Sequence, residues 1–323
     1  EPAACAALGA RSRRAKISRV TSPFLLAESG PATLKPTRWG GTRLATLRGG
    51  AARHDAHGLA IGESWEFSTL PGQESRAGGL PLGELLGSPL PFLAKLIDTA
   101  LPLSVQVHPG DDAAGPGKEE AWIVLAADPG ACVWVGLAAG CEPAEFYRAV
   151  TAGAPLLDLL QAIPVVPGSV ILVPARTVHA IGGGILLAEI QQPRDCTYRF
   201  HDHGSERPIQ PEQALATVDL DAQPQLWRPG EPPRILSGRH LRLEILTAGA
   251  HRRDRPATPT LLVPALGRVD ACSREERLPL EPGALTLALR GPWWLELAPG
   301  ALCVLGSLPG PDGAARSHRP TVA

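Results

Sequence analysis

The chain has 323 residues, with 31 Lys and Arg against 32 Asp and Glu, a net charge of -1, 44% hydrophobic residues, 35 Gly and 34 Pro. The balanced charge gives no reason to expect nucleic acid or an anionic membrane surface as a partner, and no apolar run is long enough to span a bilayer. So much Gly and Pro favours turns and short strands over long helices, which predicts an all-β fold with a small helical interruption.

Residues 1–21 read as an N-terminal arm. Within it Arg11-Ser-Arg-Arg-Ala-Lys16 is basic, but no apolar secretory segment follows. The six cysteines, at 5, 132, 141, 196, 272 and 303, form no Cys-x-x-Cys pair. In a chain of this length they read as reduced thiols of a cytoplasmic protein. Arg38-Trp-Gly-Gly-Thr-Arg43 reads as a turn anchored by an aromatic ring. Ile61-Gly-Glu-Ser-Trp-Glu-Phe-Ser68 alternates as a strand, 80–86 suits a short helix, and Phe92-Leu-Ala-Lys-Leu-Ile-Asp98 suits another strand.

The stretch 103–125 organises the rest. Residues 104–108 alternate polar and apolar, so Gln106 and His108 share one face of a strand. Glycines and a proline at 110–117 turn the chain, and Glu120 opens an apolar run at 121–125. Read as a hairpin, this brings Glu120 to Gln106 and His108. Imidazole, carboxylate and amide oxygen aimed at one point suit a divalent first-row metal.

Residues 131–137 read as a strand. Acids and Pro in the first turn predict a helix over 142–150, and 156–163 reads as a second short helix. Strands are expected at 169–173, 177–181, 185–191 and 198–200. Residues 204–235 read as a polar connection with a helix at 211–218. A second β pattern follows at 241–246, 261–266, 284–289, 293–297 and 301–305, spaced like a jelly roll. The expected division is the arm at 1–21, a metal-binding unit at 22–235 and a C-terminal jelly roll at 236–323.

Gly168, Pro174 and His179, in Pro167-Gly-Ser-Val-Ile-Leu-Val-Pro-Ala-Arg-Thr-Val-His179, resemble the second metal motif of the cupin superfamily. Gln106-Val-His108-Pro, Gly117-Lys-Glu-Glu120, Val178-His-Ala-Ile-Gly182 and Glu189-Ile-Gln-Gln-Pro-Arg-Asp-Cys-Thr-Tyr-Arg199 occur in the order seen in type I mannose-6-phosphate isomerases. Trp39-Gly-Gly-Thr-Arg-Leu44 and Ile61-Gly-Glu-Ser-Trp65 are similar to that family too. Several long motifs in fixed order are far more specific than any one alone.

The resemblance implies two cupin-like jelly rolls and an enzyme that interconverts mannose 6-phosphate and fructose 6-phosphate through an enediol. It implies one zinc ion on Gln106, His108, Glu120 and His179, with Glu119 as a rival to Glu120 expected to face the other side of the strand. It offers Glu189, Lys118 and Arg199 as catalytic residues, and a small sugar phosphate as partner. A non-catalytic metal-binding cupin that senses a sugar phosphate is the alternative; an iron oxygenase fits poorly with an amide ligand. Asp195 is expected to orient Arg199 or cap a turn, and His201 and His203 to share a strand face. Arg176 stands where the family has glycine. It is expected to be strained if the turn needs a positive φ, and to lie at the pocket mouth.

Overall fold

Alternation decides the architecture. In the strands Leu93–Thr99, Glu120–Ala127 and Ile185–Gln191 the side chains of one parity are apolar apart from Asp98 at a strand end: Ala94 and Leu96, Ala121 and Ile123, Leu186, Ala188 and Ile190. These residues join Leu243, Ile245, Leu261, Val263, Leu287 and Val304 in one buried cluster. The other parity includes Lys95, Glu120, Trp122 and Glu189, all buried. A sheet buried on both faces must therefore sit between two others.

A computed structural model describes residues 22–309 except 27, 29–32, 48–53, 56, 206 and 255–258; the expected arm at 1–21 lies outside the described residues. The described strands form an all-β, antiparallel structure of three main sheets and one two-stranded ribbon. The middle, seven-stranded sheet runs Gln225–Trp227, Val170–Val173, Glu120–Ala127, Ile185–Gln191, Leu93–Thr99, Ile61–Phe67, Leu34–Pro36. On one side lies a five-stranded sheet, Leu160–Pro164, Cys132–Leu137, His179–Ile181, Val105–Val107, Tyr198–His201. On the other lies an eight-stranded sheet from the C-terminal half, which Phe24–Leu26 also joins by pairing with Thr286–Ala288. Its other face carries a further core around Trp293, Leu295 and Cys303.

Helices Pro143–Thr151 and Pro211–Thr217 place Phe146, Val150 and Ala214 against Val105, Val107 and Phe200 on the outer face of the five-stranded sheet. That burial leaves Gln106 and His108 facing inward. No helix among the described residues is long and apolar enough to cross a membrane.

Three expectations are corrected. Residues 103–125 are not a hairpin: Val105–Val107 pairs with His179–Ile181 and Tyr198–His201, whereas Glu120–Ala127 pairs with Val170–Val173 and Ile185–Gln191. The 110–117 loop bridges two sheets. The second short helix is only a 3-10 turn, Leu157–Leu159, followed by the strand Leu160–Pro164. Pairing with Cys132–Leu137 supplies the hydrogen bonds that local propensity did not reveal. The strands expected at 293–297 and 301–305 are one, Trp293–Ser307, with a register shift against Arg242–Arg253.

Candidate metal centre

Three adjacent strands set one row of side chains. Gln106 is the register partner of His179 on one side and of Arg199 on the other. Cross-strand partners point to the same face with Cβ atoms roughly 5 Å apart. From the facing sheet come Glu120 and, one strand over, Glu189, whose register partners are Trp122 and Lys95. The site is the gap between two sheets, so no single strand pair contains it.

The connection 109–118 sets the frame of the facing strand. Lys118 N–H donates to the Pro109 carbonyl at 2.9 Å. A Cβ at Gly117 would stand 2.7 Å from the Gly110 carbonyl carbon, so only glycine lets the two chain segments pass this closely. Lys118 and Glu120 then share the inward face while Glu119 points out of it.

His108, Glu120 and His179 each offer a donor atom, all within 4.8 Å of one another, and all three are buried. Glu120 reaches His108 Nε2 and His179 Nε2 at 3.2 Å each. Both rings are fixed from behind. His108 Nδ1 donates to the Cys196 carbonyl at 2.8 Å and His179 Nδ1 to the Thr177 carbonyl at 2.9 Å. These bonds select the tautomer that leaves both Nε2 lone pairs aimed at the cluster. Gln106 presents its amide to the same point, 3.2 Å from His179 Nε2, while Ser104 Oγ holds its other end at 2.9 Å. A half-turn of the amide presents the oxygen, because a hydroxyl can accept as well as donate.

The electrostatics keep the donor atoms deprotonated. Lys118 Nζ donates to His108 Nε2 at 2.8 Å and to Glu120 at 2.5 Å. Burial and the Lys118 charge push His108 down to about 3, so the ring is neutral and able to bind a metal near neutrality. Burial alone would raise the Glu120 carboxyl, but Lys118, His108 and His179 outweigh it and hold it well below the usual carboxylate range.

Glu189 stands 3.8 Å from Lys118, with Lys95 at 3.0 Å and the Trp122 indole N–H at 3.1 Å. Lys95 is itself buried and also faces Glu63 at 3.6 Å; these carboxylates outweigh its burial and raise its pKa. Lys95 and Glu63 were not picked out from the sequence. The available signal was a lysine in the middle of Phe92-Leu-Ala-Lys-Leu-Ile97, where a buried charge demands a partner.

Arg199 is half-buried, and its Nε has no hydrogen-bond partner among the described residues. Its backbone is fixed on both sides by Gln210. Burial lowers its pKa, with Arg207 adding to the effect and Asp202, Asp195 and Glu63 opposing it. Asp202 itself is paired with Arg207 at 2.5 Å. His201 and His203 stack edge to face at 5.0 Å, but His203 Nε2 is engaged by the Leu103 carbonyl at 2.9 Å. Glu119, the rival ligand, binds backbone amides of 239–241 and does not join the donors. Arg176 has φ 71°, in the left-handed region; its side chain is exposed, and its Nε donates to the Thr217 carbonyl at 2.9 Å.

No family model matches the chain. It is 36% identical over 209 residues to a protein of Streptococcus mutans named mannose-6-phosphate isomerase, a match covering 56% of this chain and 64% of that one. The chain thus spans less than two thirds of that curated relative. The fold matches the mannose 6-phosphate isomerase of Bacillus subtilis with a TM-score of 0.67 at 21% identity, over 88% of this chain and 99% of that one. It also matches a zinc-bound mannose 6-phosphate isomerase with a TM-score of 0.61 at 17% identity, over 89% and 100%.

Proposed function

We propose that this chain, related by sequence and by fold to the mannose-6-phosphate isomerases, interconverts mannose 6-phosphate and fructose 6-phosphate as a zinc-dependent aldose–ketose isomerase. The observation that carries the reading is the buried His108–Glu120–His179 set with Lys118 and Glu189 beside it. Two imidazole nitrogens oriented by carbonyls, one carboxylate and the Gln106 amide are a donor set that suits one zinc ion per chain. Zinc bound there would supply a Lewis acid against the negative charge that develops on the sugar oxygens as the enediol forms.

The protein's own groups do the rest. A proton must leave C2 of the aldose and arrive at C1 of the ketose. In this reading Lys118 and Glu189 carry it, supported by their 3.8 Å approach and by Lys95 and Trp122 holding the Glu189 carboxylate. Arg199 offers a fixed positive charge opposite Gln106, with a buried donor held ready in advance. A guanidinium has no lone pair for a metal, so its role is toward the enediolate. Residues 22–235 carry this chemistry, and the C-terminal eight-stranded sheet closes the apolar side.

The test is zinc content beside isomerisation rates for wild type and Arg199→Ala. We expect about one zinc per chain and turnover in the wild type. Arg199→Ala should keep the zinc but lose about 10²–10³ in kcat, with kcat/KM falling alongside. Zinc without turnover in the wild type would replace the isomerase with a sugar-phosphate sensor.

A further inference from the structure

Glu119 is buried beside the metal donors, yet it faces away from them. Its carboxylate accepts three backbone amides from a turn of the C-terminal half: Arg239 at 3.0 Å, His240 at 3.0 Å and Leu241 at 2.8 Å. The fit is tight, because a Cβ at Gly238 would stand 2.2 Å from the Glu119 carboxylate. The backbone of Glu119 is pinned as well: its N–H donates to the Gln192 side chain at 2.9 Å, and its carbonyl accepts from Gln192 N–H at 3.0 Å.

A second carboxylate ties the preceding loop to the same turn. Asp111 accepts from Gly117 N–H at 2.8 Å and from Gln192 Nε2 at 3.1 Å, and faces His240 Nε2 at 3.0 Å. The segment that delivers Lys118 and Glu120 is thus clamped from its far side by residues that touch no donor.

We infer that Glu119 is a positioning residue for the metal centre, locking the Lys118–Glu120 segment to the 238–241 turn of the C-terminal sheet. The inference rests on the zinc reading above and deepens it. Charge-assisted bonds from a carboxylate to amides are strong and directional. Lys118 and Glu120 are its immediate chain neighbours, so a displacement of Glu119 moves both together. A site needs its groups within about 0.5 Å of the working geometry. Outer-shell partners of metal ligands typically change metal affinity by about 10–100-fold.

The experiment compares wild type, Glu119→Gln and Glu119→Asp. Zn²⁺ and Co²⁺ dissociation constants are measured by competition with a chromophoric chelator, the visible bands of the Co²⁺ form are recorded, and urea midpoints report the fold. Glutamine turns an NH₂ toward backbone donors, so Glu119→Gln should bind both ions about 10–100-fold more weakly with altered Co²⁺ bands. Glu119→Asp, which keeps the charge but is one methylene shorter, should fall between. Wild-type affinity and bands in both variants, even with a lowered urea midpoint, would overturn the inference and leave Glu119 a purely structural clamp. If Glu119→Gln does not fold, Glu119→Asp decides by the same affinity and spectrum. A wild type that binds metal but shows no turnover defeats the isomerase reading and leaves this one standing; a wild type that binds neither ion defeats both.

Discussion

The two faces of the seven-stranded sheet are built by the same strands and have opposite characters. One face carries Lys95, Glu120 and Glu189 toward the five-stranded sheet, in a network of ion pairs and donor atoms. The other carries Ala94, Leu96, Ala121, Ile123, Ala188 and Ile190 into the apolar layer shared with the C-terminal sheet. The period of two separates chemistry from cohesion at single-residue spacing. It also fixes the register, because a one-residue slip would put three charged side chains into the apolar layer.

The contrast is broken most sharply by paired substitutions. Glu120→Gln removes a donor charge but little volume. It should weaken zinc by more than the roughly 100-fold that outer partners cost, and lower turnover with it; it also lowers the urea midpoint, because Lys118 loses its buried partner. Ile123→Ala on the opposite face should separate stability from metal: it should cost about 2–5 kcal/mol of stability and leave zinc affinity intact wherever the protein is folded. A shared loss of zinc in both variants would mean that the faces are not independent.

Acid should also distinguish the faces, in the protein stripped of metal. The His108 pKa is depressed from 6.5 to about 3 in the folded chain. Between those values the unfolded chain binds a proton that the folded chain refuses, so stability must fall as the pH drops through that window. Glu120, held low when folded, acts with the same sign below its ordinary value. His108 alone allows up to about 1.4 kcal/mol per pH unit. Urea titrations from pH 7 to 4 measure the slope, and His108→Ala should flatten it. A wild-type profile already flat over that range would show that the ring is not held neutral by its surroundings.

How legible the site was depends on which kind of information each residue needed. Alternation puts Gln106 and His108 on one face and Glu119 and Glu120 on opposite faces, and the family resemblance of Gly117-Lys-Glu-Glu120 names Glu120 as the inward one. Alternation is a property of a single strand. Which strand pairs with which is not, and a turn-rich loop such as 110–117 suits a hairpin and an inter-sheet bridge equally. Hence the chain forms no hairpin there although its donor atoms do converge. The 156–163 stretch failed for the same reason, its strand identity coming from Cys132–Leu137. Lys95 and Glu63 are silent in the sequence because a charge in an apolar run acquires meaning only from partners on other strands. The role of Glu119 is equally hidden in the sequence, because its partners lie some 120 positions away at 239–241.

The smallest expected effect belongs to Arg176, at the edge of the polar face. Its backbone is committed: N–H donates to the His108 carbonyl at 2.8 Å, and its carbonyl accepts from Asp219 N–H at 2.8 Å. With φ at 71° a non-glycine residue pays roughly 1–2 kcal/mol in strain. Arg176→Gly relieves that, but it loses the bond to the Thr217 carbonyl and gives the unfolded chain more freedom, a cost of about 0.5–1 kcal/mol. The terms nearly cancel, so the urea midpoint should shift by less than the equivalent of about 1 kcal/mol. The sequence suggests an arginine at the pocket mouth. In the structure its Nε serves the end of helix Pro211–Thr217, and a substrate would have to compete with that carbonyl. KM for mannose 6-phosphate should therefore stay unchanged in Arg176→Gly. A raised KM at constant kcat would return the guanidinium to the substrate, since a contact equal in ground and transition states affects binding alone.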